Sequence, residues 1–191
     1  MSLVELIAQA DERGLAASGL ACLDRCVPLL GGDDEILRPL WASLVDGDAW
    51  GERLAKARAD LGEPMASDAG VGPDASPEDA AALLARRMLA AVPAEPAAAE
   101  LRAWADACSV AALQIHRLLD ASDDGTSSVA ARREGRTDGM SPLVAAELRR
   151  QVTILELLAG HGAGGLRPAL DVSTEGRRVL RAVVSRRARR A

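Results

Sequence analysis

"PAAAELRAWADACSVAALQIHRLLD", residues 96–120, is the stretch on which the fold turns. Leu101, Trp104, Ala105, Cys108, Ala112, Ile115, Leu118 and Leu119 recur at three- and four-residue steps, the period that gathers side chains on one face of an α-helix. The stripe runs unbroken for about five turns. It predicts a long helix and, as the most extended apolar face in the chain, the central helix of the core.

Working downstream, "VTIL" at 152–155 is the one β-like run, but the flanking "AAELRRQ" and "ELLAG" carry a helical pattern. Ser141 and Pro142 mark a helix start, with Leu148, Val152, Leu155 and Leu158 on its apolar face. With no second strand candidate there is no sheet to join. A last helix is expected from Asp171 or Ser173, with Glu175 in its first turn and Val179, Leu180, Val183 and Val184 on one face.

Upstream, Ser2 and Glu5 form a capping box before Leu3, Leu6, Ile7 and Ala10, and Gly14 is the expected stop. Leu20, Leu23, Val27 and Leu30 give a second helix that Pro28 should kink or end near its last turn. A third, capped by Asp33 or Asp34, carries Ile36, Leu37, Leu40, Trp41, Leu44 and Val45, with a bend expected at Pro39. Gly47 turns the chain, and Asp48 caps a fourth helix through Trp50, Leu54, Ala57 and Leu61. Ser76, Pro77 and Asp79 open a fifth, through Leu83, Leu84, Met88, Leu89 and Val92.

The fold class that results is an all-α bundle of about seven or eight helices with two flexible loops and a basic C-terminal helix. Residues 1–61 are the N-terminal helices, 62–77 a Gly- and Pro-rich linker without apolar period, and 78–191 a helical bundle with an Arg-rich end. At 191 residues, one domain over 1–184 is the expected arrangement. The second loop spans 121–141.

Arginine outnumbers lysine 22 to one, while Asn, Phe and Tyr are absent, a bias that points to a high-GC bacterial genome. That bias does not explain clustering. Residues 173–191 hold seven arginines and one glutamate, whereas 1–172 hold 16 basic and 27 acidic groups, so an acidic body of net −11 carries a basic end. "MSLVELIAQADERG" lacks a basic n-region and a long apolar run, and no stretch reads as a transmembrane segment, so a cytoplasmic location is expected.

Cys22, Cys26, Cys108 and His116 are a set that zinc accepts, if two helices bring them together. Cys108 lies on an apolar stripe, however, and free cysteine packs as a small hydrophobe, so packing rather than metal binding is the reading adopted. "GHGAGG" at 160–165 satisfies the spacing of a dinucleotide loop, yet a helix precedes it where a strand is required. It reads as a helix end at Gly160 entering a mobile loop. "SDDGT" at 122–126 reads as a polar turn, and "DDE" at 33–35 as helix-start charge. A helix-turn-helix over 41–61 fails, because either turn glycine places charged residues where apolar packing is needed.

With His116 and His161 the only histidines, little material exists for general base chemistry, and no cofactor is expected. The residues favour a non-catalytic protein-interaction or regulatory module over an enzyme. Arg186, Arg187, Arg189 and Arg190 are the candidate contacts to an acidic partner. The alternative is a nucleic-acid accessory protein that binds phosphate weakly and without sequence preference through the same arginines.

Overall fold

Small residues let helices approach closely, and residues 12–26 are rich in them: Gly14, Ala16, Ala17, Ser18, Gly19, Ala21 and Cys22. In the computed structural model, which describes residues 1–61, 75–122 and 128–189, this segment is the helix enclosed by the others. The described elements are α1 (Leu3–Gln9), α2 (Glu12–Cys26), α3 (Arg38–Asp46), α4 (Trp50–Asp60), α5 (Pro77–Ala90), α6 (Ala98–Leu119), α7 (Val129–Arg133), α8 (Pro142–His161) and α9 (Leu166–Ala188). Eight of these, each of seven residues or more, pack as an all-α bundle with no strand among the described residues. Residues 62–74 of the expected linker, and 123–127 of the second loop, lie outside the described residues.

Every residue of α2 from Gly14 to Cys26 is buried. Leu15, Leu20 and Leu23 are wholly enclosed, each contributing about 1.5–3 kcal/mol if fully transferred from water. The long helix α6 does form, but it packs beside α2 rather than being enclosed itself. Its Trp104 lies across Gly19, where a Cβ would stand 2.5 Å from the indole, so only glycine permits the approach. Trp104 Nε1 also donates to Met88 O at 3.0 Å, tying α6 to α5. "VTIL" is helical within α8.

Several expected boundaries move, each for a local reason. Gly14 is not a stop: α1 ends at Gln9, and Asp11 caps α2 by accepting from Gly14 N at 2.7 Å. Pro28 ends α2 as expected, in a 3-10 turn over Val27–Leu29. Neither Asp33 nor Asp34 caps α3; turns occupy 34–37, and Pro39 stands in the first helical turn, where its missing N–H removes no bond, instead of bending the middle. Asp48 does not cap α4, whose entry residue is Ala49 at φ 58°. Ser76 caps α5 as expected.

Two larger differences bear on function. Within the expected loop 121–141, Val129–Arg133 form α7, held because Arg133 pairs with Asp106 and donates to Ser109 Oγ at 3.1 Å. At "GHGAGG" there is no mobile loop. α8 continues to His161, a 3-10 turn occupies Gly162–Gly165, and α9 begins at once at Leu166, five residues or more before the expected start. Gly165 packs on the backbone of Leu157 more closely than a side chain allows. Pro168 falls in the first turn of α9, where no N–H is needed. The product is an antiparallel hairpin of two long helices.

Candidate docking groove

Two ion pairs clamp this hairpin to α2. Asp24 and Arg25, adjacent on α2, reach different helices. Arg25 donates through Nε and Nη2 to Glu147 of α8 at 2.9 and 2.6 Å, with both side chains fully buried. Asp24 accepts from Arg177 Nη1 of α9 at 2.6 Å and from Ser173 Oγ at 2.8 Å. Gln151 extends the first set, donating to Glu147 at 2.8 Å and accepting from Ser109 Oγ of α6 at 2.7 Å. Gly176 gives Arg25 and Arg150 room to cross α9.

Burial alone would push the Glu147 carboxyl up, but the Arg25 guanidinium and its hydrogen bonds outweigh this and hold it down at about 2. Burial raises the Asp24 carboxyl despite Arg177. Burial also lowers His116 below its usual value, against the pull of Glu147, so the imidazole is neutral. Its Nδ1 lies 2.7 Å from Ala112 O and must donate there; Nε2 faces Glu147 Oε2 at 3.5 Å without a hydrogen bond. The set is a buried clamp of paired and hydrogen-bonded side chains.

What the clamp positions lies on the outer side of the hairpin. Pro142, Leu143 and Ala146 of α8 form one wall of a groove, and Val179 and Val183 of α9 the other. Leu119 and Ala121 close the end nearest α6, and the volume is about 390 Å³. Arg186 and Arg187 stand at that same end, because α9 places 179, 183, 186 and 187 on one face. Asp120 also lines the groove, but its carboxylate is engaged: it accepts from Leu143 N at 2.9 Å, and from Ser122 N and Oγ at 3.0 and 2.7 Å. It thereby caps α8, whose N-cap Ser141 makes no side-chain cap bond.

The arginines of the basic stretch divide into two groups. Arg177 and Arg181 both pair with Asp34, the residue expected at a helix start, and Arg187 pairs with Glu78 of α5. Arg178, Arg186 and Arg189 are exposed and have no carboxylate partner among the described residues; Arg186 Nε donates only to Ala182 O of its own helix, at 3.2 Å. Residues 185–188 complete α9, while Arg190 lies outside the described residues.

Cys22 and Cys26 on α2 and Cys108 on α6 are buried free thiols. Burial pushes Cys22 up to about 12 and the other two well above their usual value, which disfavours the thiolate that a metal needs. Among the described residues no three His, Cys, Asp or Glu side chains are grouped to hold a metal ion, and no helix is long and apolar enough to cross a membrane. His161 is exposed at the end of α8.

Asp24, Arg25, Glu147, Gln151 and Arg177 are the residues that sequence reading missed. Their signal was present: Asp24 stands at i+4 from Leu20 and Gln151 at i+3 from Leu148, so each polar residue interrupts an apolar stripe. Comparison with family models, with curated proteins and with solved structures finds no match to this chain.

Proposed function

We propose that this chain is a non-catalytic protein-interaction module whose α8–α9 groove receives an acidic, apolar-faced segment of a partner protein. The observation that carries the reading is the pairing of aliphatic walls with Arg186 and Arg187 at one end of the same groove. Apolar walls supply affinity, and charges at the rim supply orientation and encounter rate. The buried clamp supports the reading too, since it keeps both walls in place before a partner arrives and so lowers the ordering cost of binding.

Nucleic acid is the second reading, supported by Arg186 and Arg189 having no carboxylate partner among the described residues. An acidic body repels a polyanion, and the arginine stretch offers no aromatic side chain for base stacking. Affinity purification from the native cell, with nuclease treatment, separates the two. The expected result is a defined protein recovered by the native chain and lost with Ala146→Glu or with Arg186→Ala/Arg187→Ala, each variant checked for native helicity. A partner that ignores both variants refutes the groove, and recovery that disappears with nuclease favours the phosphate reading.

A further inference from the structure

We infer that the segment taken by the groove is an amphipathic helix that lies parallel to α8 and antiparallel to α9, with its carboxylates in its own first turn. The inference rests on the proposed docking function and specifies the partner's chemistry and direction. The hairpin sets the frame. Residues 142–146 face 179–187 across the groove, so the N-terminus of α8 and the C-terminus of α9 lie at the same end.

At that end the charges are unequal. The positive end of the α8 dipole already meets the Asp120 carboxylate through Leu143 N–H. The α9 end carries Arg186, Arg187 and Arg189, of which only Arg187 has a carboxylate partner among the described residues, Glu78. What remains uncompensated there is positive and calls for carboxylates. In a helix, carboxylates are most stable in the first turn, where the dipole is positive. A docked helix whose first turn sits over Arg186 therefore satisfies its own dipole and the arginines together, and its dipole opposes that of α9. The reverse orientation would place carboxylates at the negative end of the incoming helix.

The walls set the apolar requirement. Val179 and Val183 lie one turn apart, as do Pro142 and Ala146, and none of these residues is aromatic. Small walls leave bulk to the incoming side chains, at i, i+4 and i+7 on one face. Arg187 serves both Glu78 and the groove, so an incoming carboxylate competes with Glu78 for it.

The test uses the full chain and two labelled, end-blocked peptides of about fourteen residues with equal composition and an identical leucine face at i, i+4 and i+7, followed by fluorescence anisotropy. One peptide carries three Glu in its first turn, the other in its last. The first is expected to bind about tenfold more tightly, since a few charges each gain from a dipole and an arginine. That advantage should shrink with Arg186→Ala/Arg187→Ala and grow with Glu78→Gln. Equal affinities that Ala146→Glu abolishes overturn the direction but leave the docking groove standing. Binding of neither peptide, or binding indifferent to Ala146→Glu, overturns the groove as well. Ala121→Trp, at an exposed turn position, blocks the same groove should Ala146→Glu not fold.

Discussion

Asp24 and Arg25 are neighbours in the chain, and each anchors a different helix; most of what is particular to this protein at the scale of single residues follows from that pair. A buried ion pair adds little net stability against apolar replacements, but losing one partner leaves a charge stranded without water. Glu147→Ala, which strands Arg25 at full burial, is therefore expected to cost about 3–5 kcal/mol by urea denaturation. Acid should act on the same cluster in two stages. His116 has a folded value below its ordinary 6.5, so the unfolded chain takes up its proton first and stability falls as pH drops through and below that value. Glu147, held at about 2 against an ordinary 4.5, contributes stability that is complete above 4.5 and lost as pH falls from there toward 2. Urea midpoints from about pH 8 to about pH 3 should show both losses, and His116→Leu should remove only the upper one. An unchanged upper slope in that variant would show that His116 is not the group responsible. None of these partnerships was legible beforehand. The sequence displays a charged residue on an apolar stripe, but not which charge, more than a hundred positions away, meets it.

At the scale of elements, the local sequence marks the starts of α1, α5 and α8, but not the distant groups that complete a helix end. Ser2, with its Glu5, and Ser76 cap α1 and α5 from within the local sequence, and both starts were read from it. The N-terminus of α8 is completed by Asp120, 23 positions before Leu143, and the end of α5 by Arg58 of α4, which donates to the carbonyls of Leu89, Ala90 and Val92 at 3.3, 2.9 and 2.9 Å. Asp120→Ala is accordingly expected to lower stability by about 1 kcal/mol, the usual loss on removing a cap. The decrease should be read from the thermal midpoint, with faster amide exchange confined to the first turn of α8. Uniform exchange along α8 would contradict the assignment. The start of α9 was misplaced for a related reason: the glycines at 162, 164 and 165 resemble a loop in composition, while in space Gly165 is the contact that lets the hairpin close on Leu157.

For the whole molecule, the governing feature is that the first part of the chain supplies the helix around which the rest is arranged. Leu15, Leu20 and Leu23 of α2 are completely covered, and Asp24 and Arg25 reach α9 and α8, so we propose that 1–61 and 78–189 fold as one unit. Far-ultraviolet dichroism and tryptophan fluorescence should then give coincident denaturation curves, and a chain of residues 1–61 alone should show neither transition. Two separate midpoints would instead indicate two folding units. From the sequence alone, periodicity and capping signals determined that the chain is all-helical, roughly how many helices it has, and which faces are apolar, because these are interactions between residues a few positions apart. Charge distribution determined that an acidic body bears a basic end. Only the tertiary structure decided that α2 rather than α6 is enclosed, that Arg177, Arg181 and Arg187 turn back onto Asp24, Asp34 and Glu78, and that Arg186 borders an apolar groove. Those outcomes depend on which helices meet and at what depth, and packing between distant segments sets both, with no counterpart in the local period of either.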